Sequence, residues 1–157
     1  MVGINKHSRL LVFFITLLLA VYMLKGMIAI AAQPPAFFAV ANGALDSLTL
    51  TANLSIGSTD IGRNGNVYLA AETRDGWLFN NGVNWILWNN GPLPAYSTGT
   101  LTDQSIAVAH NADVSSPAFY TTRVYVGYGL SETDMLENGK YGLIYTIMLP
   151  FPCCKQP

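Results

Sequence analysis

The sequence predicts an all-β protein: an antiparallel β-sandwich of about seven strands, with one short helix before the last strand, behind an N-terminal apolar export helix. Three observations lead there. Between residues 46 and 148, short runs rich in Val, Ile, Thr, Tyr and Trp are separated by Gly and Asn turns at sandwich spacing. The run W-L-F-N-N-G-V-N-W-I-L-W at 77–88 holds all three tryptophans around an Asn-Asn-Gly turn, a strong hairpin signal. The chain has 157 residues, 51% hydrophobic and 11% charged, enough for one domain with its own core.

Residues 1–31 read as an address. Lys6 and Arg9 lie in a basic head, Leu10–Leu24 carries no charge, and Ala29-Ile30-Ala31 has the small-x-small form of a signal-peptidase site. This predicts cleavage near Ala32. The competing reading is an uncleaved anchor, because residues 10–32 are long enough to span a bilayer and Lys25 can snorkel to its interface. Either way the remainder is exported, to the periplasm, cell surface or exterior, and membrane contact is confined to residues 10–32. Without residues 1–31, five basic residues face nine acidic ones, a net charge of -4. A mildly acidic domain with no basic stripe argues against nucleic acid.

Residues 32–45 contain Pro34-Pro35 and Asn42-Gly43 and read as a linker, with a first edge segment docking Phe37-Phe38 as the alternative. The sandwich domain is set at 46–148. Ser47–Ile56 alternates cleanly, with Leu48, Leu50, Ala52, Leu54 and Ile56 on one side. Gly57–Gly65 is rich in turn residues, and Asp60 fits local backbone bonding there. Asn66–Thr73 is the next strand, with Val67, Leu69 and Ala71 opposite Tyr68, Ala70 and Glu72. Arg74-Asp75-Gly76 then turns tightly into the tryptophan hairpin, giving a three-strand meander.

In that hairpin a loop centred on Asn81-Gly82 pairs Leu78 with Trp85 and Trp77 with Ile86. Alternation puts Trp77, Phe79, Ile86 and Trp88 on one face and Leu78, Trp85 and Leu87 on the other. Both faces are apolar, so one packs on a core and the other is covered or binds something. Three aromatics bury more area than the mixed face, so the Trp77 face is assigned to the inter-sheet core. Trp85, Leu78 and Leu87 then form the candidate ligand-binding patch. If the faces are reversed, the platform becomes Trp77 and Trp88.

Asn89–Asp103, with Gly91-Pro92, Pro94 and Gly99, reads as a long cross-over between sheets. Ser105–Ala109 and Thr122–Tyr128 are strands, the second with Val124, Val126 and Tyr128 on one face. Gly127 should lie beneath an aromatic ring, with the tryptophan hairpin as donor. Ser131 is placed to cap a short helix, Asp134 falls three residues later, Met135 and Leu136 are its apolar contacts, and Gly139 ends it. Tyr141–Met148 is the last strand. In the tail, 149–157, adjacent Cys153 and Cys154 are strained as partners of each other and suit an intermolecular disulfide in an oxidising compartment, against an inert tail.

The segments G-N-V-Y-L-A-A (65–71), W…W-x-x-W, P-A-Y (94–96) and V-Y-V-G-Y-G…M-L-E-N-G-K-Y-G-L-I-Y-T (124–146) resemble a small β-sandwich domain of exported bacterial proteins. The match spans about two-thirds of the chain by its strand segments. The domain recurs in large surface or secreted proteins and has no established activity. The resemblance implies fold and compartment and carries no chemistry. Here the domain stands nearly alone behind a signal, a departure from those larger relatives.

Catalytic chemistry is poorly provided for. His7 and His110 are the two histidines, and His7 lies in the export segment. No nucleophile elbow, H-E-x-x-H, phosphate loop or EF-hand occurs, so no catalytic residue, metal ligand or cofactor is assigned. The sequence therefore points to a non-catalytic exported or cell-surface binding module whose partner is a glycan or another surface protein. The alternative is a structural or assembly subunit, joined by a sheet edge or through Cys153-Cys154 into a disulfide-linked oligomer.

Overall fold

A computed structural model describes residues 32–148. The export segment 1–31 and the tail 149–157, with Cys153 and Cys154, lie outside the described residues. Among the described residues no helix is long and apolar enough to cross a membrane.

Among the described residues nine strands form two antiparallel sheets. The smaller sheet contains β1 (Ala36–Asn42), β2 (Leu48–Ser55) and β7 (Gln104–Ala112), in the order β1-β2-β7. The larger contains β3 (Asn64–Thr73), β4 (Gly76–Asn80), β5 (Trp85–Leu87), β8 (Arg123–Gly129) and β9 (Tyr141–Thr146), in the order β5-β4-β3-β8-β9. Its sixth strand, β6 (Ser97–Thr100), pairs with the start of β3. The predicted sandwich and its short helix before the last strand, α1 (Glu132–Glu137), are both present among the described residues.

The core lies between the sheets. Leu48, Leu50, Ala52 and Leu54 of β2 meet Val67 and Leu69 of β3 and Val124, Val126 and Tyr128 of β8, all at or below 5% exposure. Alternation puts these residues on one face of each strand, as the sequence predicts. Tyr128 spans the layer, and its hydroxyl accepts a hydrogen bond from Gly57 N at 2.9 Å.

Two strands exceed the predicted seven. The segment read as a linker carries β1, which pairs with β2 along Ala36–Asn42. Phe37 turns inward onto Tyr128, with ring centroids 6.3 Å apart, while Phe38 is 54% exposed. Pro34 and Pro35 stop short of the strand, so they remove no ladder donor. The second extra strand, β6, falls inside the predicted cross-over. Its sequence, S-T-G-T, has no apolar alternation, and all four residues are exposed. The cross-over itself runs from β6 to β7 and is pinned by Leu101, buried at 1%, whose backbone bonds Arg63 O and Gly62 N.

Helix α1 closes as predicted. Ser131 Oγ accepts from Asp134 N at 3.1 Å, Asp134 Oδ2 accepts from Leu130 N at 2.8 Å, and Gly139 takes the left-handed conformation at φ +61°. Met135 is buried, whereas Leu136 is 50% exposed. Asp60 departs from its predicted turn role. It is 3% exposed and pairs with Lys140 Nζ at 2.7 Å, and Lys140 also bonds both oxygens of Asp134 at 2.9 Å. This ion cluster ties the β2–β3 loop to α1 and to the turn entering β9.

Candidate aromatic binding cleft

The site begins with a two-residue turn. Arg74 and Asp75 join β3 to β4, and Thr73 Oγ1 donates to Gly76 O at 2.8 Å across it. This turn sets Glu72 opposite Trp77, Ala71 opposite Leu78 and Ala70 opposite Phe79. Ala71 shares the inner face with Val67 and Leu69, so Leu78 points inward too. Trp77 and Phe79 share the outer face with Glu72, Ala70 and Tyr68.

The next turn corrects the predicted pairing. Leu78 pairs with Leu87, Phe79 with Ile86 and Asn80 with Trp85, two residues away from the predicted register. The loop is four residues, Asn81–Asn84, closed by Asn81 N to Asn84 O at 3.1 Å. Asn side chains hold it: Asn81 Oδ1 accepts from Val83 N and Asn84 N, and Asn80 Oδ1 accepts from Gly82 N. A two-residue type I′ turn needs positive φ at both centres, and Asn81 does not have it. A shift of two residues preserves face membership. Trp77, Phe79, Ile86 and Trp88 therefore do share a face, as predicted.

The face assignment, however, is reversed. Trp85 packs against the inter-sheet core with Val108 and Tyr96 as other partly buried neighbours of that core. Leu78 is half-buried on the same side, and Leu87 is 62% exposed at the sheet edge. The predicted patch of Trp85, Leu78 and Leu87 is thus divided between core and rim. Area favoured the Trp77 face for the core, but strand pairing decides the matter, because Trp77 stands beside the charged Glu72.

On the outer face Trp77, Phe79 and Trp88 line a cleft of about 420 Å³, a volume within the range of small-molecule sites. Tyr125 of β8 completes the floor, its ring centroid 5.3 Å from that of Trp77 and tilted by 45°. Phe79 lies 6.4 Å from Trp77 and 6.1 Å, edge-on, from Trp88. Such tilted pairs satisfy the ring quadrupoles, and Phe79, 6% exposed, is the buried member between the half-buried Trp77 and Trp88. Trp88 is fixed by its Nε1, which donates to Gly91 O at 2.8 Å, and by its backbone bond to Trp77 O.

The far wall is α1 with its Met135 and Leu136, together with Tyr68 and Tyr141. Gly127 is what lets the helix come so close. A Cβ there would sit 2.7 Å from Tyr141 Cβ and 2.8 Å from Met135 Sδ. Gly127 is therefore covered as expected, but by Met135 and Tyr141 rather than by the tryptophan hairpin.

Polar groups in the cleft are few. Glu132, the first residue of α1, accepts from Leu93 N through Oε2 at 3.0 Å and so clamps the β5–β6 loop against the helix. The Tyr125 hydroxyl donates to Glu72 Oε2 at 3.2 Å, and the Tyr68 hydroxyl accepts from Asn66 Nδ2 at 3.3 Å. Burial pushes the Tyr68 phenol above its ordinary range, the Asn66 bond opposes this, and the charge of Glu132 adds to the rise. His110, which the sequence leaves after a strand, lies exposed within β7, on the other sheet. Among the described residues no group of three His, Cys, Asp or Glu converges as a metal site would need. A second, polar depression of about 230 Å³ beside β6 contains no charged side chain.

The residues that sequence reasoning missed are Tyr68, Tyr125, Glu132 and Tyr141. Tyr68 and Tyr125 were legible as the alternating partners of core residues. Glu132 carried no signal, because its contact to Leu93 joins positions 39 apart. Comparison with known proteins finds no matching family model, no matching curated protein and no matching solved structure.

Proposed function

We propose that this chain is an exported, non-catalytic binding module that receives its ligand in the outer-face aromatic cleft. One observation carries this reading: aromatic rings from β4 and β8, with Trp88 just after β5, line a site of about 420 Å³ on a sheet face that, among the described residues, no second sheet covers. Half-buried Trp and Tyr are the residue types that supply large contact area at low entropic cost. The export segment and the resemblance to exported β-domains support a surface or extracellular setting, where a glycan or another surface protein would present the ligand.

The neutral fluorophore N-phenyl-1-naphthylamine tests the cleft directly. Its emission should rise on the wild-type chain and fall with Trp77→Leu, while the melting temperature shows that the variant folds. A glycan array then asks whether the ligand is a sugar. Failure of the fluorophore to bind, together with an empty array, removes the binding reading.

A second reading is supported by the smaller sheet. Among the described residues its edge strands β1 and β7, seven and nine residues long, pair on one side, and open edges of that length recruit strands from other chains. On this reading the chain is an assembly subunit, with Cys153 and Cys154 as covalent links. Size-exclusion and non-reducing gels separate the two: a reduced monomer that binds ligand supports the module, and a disulfide-linked oligomer without ligand affinity supports assembly.

A further inference from the structure

We infer that the cleft is selective for an organic cation, an alkylated ammonium group seated against the aromatic rings beside Glu132. This rests on the cleft being the binding site. The rings come first. Trp77 and Tyr125 are tilted by 45° and line one cleft, with the nearly buried Phe79 ring behind Trp77, so the rings bound a recess and do not lie in one flat platform. Ring faces carry negative potential, and a cation within about 6 Å of a centroid is attracted to it.

Charge points the same way. The lining contains one carboxylate, Glu132, and no Lys, Arg or His. Among the described residues Glu132 makes no ion pair, whereas Asp60, Glu72 and Asp134 all do. Residues 32–148 hold nine carboxylates against four basic side chains, and three of those four, Arg63, Arg123 and Lys140, are already in ion pairs. The domain's field therefore draws cations and repels anions.

Other ligand classes fit less well. An anion would meet negative ring faces and Glu132. A sugar wants a fan of hydrogen-bond partners, but polar groups in the cleft are few, and the Tyr125 hydroxyl already donates its proton to Glu72. An ammonium wrapped in methyl groups needs no directed hydrogen bond. It suits apolar walls such as Met135 and Leu136.

Calorimetry on the full-length chain at low salt tests this with choline and its uncharged isostere, 3,3-dimethylbutan-1-ol. Choline should bind about tenfold tighter than the isostere, the ratio that a partly desolvated cation–π site supplies. Its affinity should fall as salt rises. Glu132→Gln keeps the acceptor for Leu93 N and removes the charge. It should weaken choline about five- to tenfold, with a wild-type melting temperature showing that the fold and the Leu93 contact survive. Phosphocholine identifies the source: binding equal to or tighter than choline assigns a headgroup carried on a phosphodiester, and weaker binding assigns a free ammonium. An isostere that binds as well as choline, or a choline affinity indifferent to Glu132→Gln, overturns the inference. If the fluorophore binds and the isostere displaces it but choline does not, the cleft stands and its cation selectivity falls. If neither fluorophore nor choline binds, the cleft reading itself has failed.

Discussion

On the inner face of the six-stranded sheet, Leu69, Val126 and Tyr128 are exposed by 1% or less; on its outer face Trp77 and Trp88 are half-buried, and Tyr141 and Leu143 are 47% and 50% exposed. Both faces are apolar, and they differ in what closes them. The inner face meets a second sheet whose aliphatic rows interdigitate with it. The outer face meets one six-residue helix and a loop, which cover the Gly127 end and leave the aromatic end open. Hydrophobicity alone therefore does not mark a core. A core needs a partner surface of matching extent, and the ring-rich face has none among the described residues.

The sharpest way to break this contrast is to truncate one leucine on each face. Leu69→Ala empties a fully enclosed site and should cost about 3–4 kcal/mol in urea unfolding. Leu143→Ala, on the outer face of β9, should cost less than about 1 kcal/mol, as changes at half-exposed positions do. Equal losses would mean that something covers the outer face as completely as the inner one.

The ion cluster at the sandwich end is next in size. Lys140→Met leaves Asp60 buried without its cation and should cost about 3 kcal/mol, as breaking a buried pair does. The cluster also gives stability a pH dependence. The Lys140 ammonium, as hydrogen-bond donor, is the largest influence holding the Asp134 carboxyl below its ordinary range, and it outweighs burial. A depressed folded pKa contributes stability above the unfolded value of 3.8, and that stability is lost as pH falls through the folded value. Burial acting alone would lower Lys140, but Asp60 and Asp134 more than offset it and leave a net rise. That contribution is complete below the unfolded value of 10.5 and is lost as pH climbs through the raised one. Lys140→Met should therefore flatten the stability profile at both ends, and an unchanged acid limb would show that Asp134 draws its stabilisation elsewhere.

Much of this architecture was legible in residues, and the part that was not has identifiable causes. Alternation in Leu48–Leu54 and Val67–Ala71 gave the core, and Ser131, Asp134 and Gly139 gave the helix. Strand β1 was legible only as the alternative edge segment, because Pro34-Pro35 and Asn42-Gly43 bracket it like a linker, and S-T-G-T in β6 has no pattern to read. The face of the cleft was within reach. Once Arg74-Asp75 is a two-residue turn, Trp77 must lie across from Glu72, and a charged neighbour marks the wet side. Comparing buried areas between faces hid that simpler step. The contacts of Asp60 with Lys140 and of Glu132 with Leu93 join distant loops, where local sequence carries no register.

A smaller effect sharpens how the outer face is partly closed. Gly127→Val inserts atoms where Met135 and Tyr141 already stand, and should cost about 2 kcal/mol as overpacking does. It should also push α1 outward and weaken N-phenyl-1-naphthylamine binding. A variant with wild-type melting temperature and unchanged fluorophore affinity would show that the helix does not seat on Gly127.

The smallest effect separates the tryptophans without disturbing stability much. Three variants, each keeping one Trp and carrying Phe at the other two positions, report one environment apiece. Acrylamide is small and neutral, so its quenching tracks access rather than charge. Trp85 faces the inter-sheet core, whereas Trp77 and Trp88 line the open cleft. The Trp85 variant should therefore show the lowest quenching constant of the three. Adding N-phenyl-1-naphthylamine should reduce quenching of Trp77 and Trp88, because the fluorophore occupies the space acrylamide would enter. It should leave the quenching constant of Trp85 alone. Dipolar and edge effects shift emission maxima in either direction, so the quenching constants and not the wavelengths decide. If Trp85 is the most accessible and the fluorophore shields it, the inner and outer faces of the hairpin must be exchanged, and the binding surface moves to Trp85 with Leu78 and Leu87.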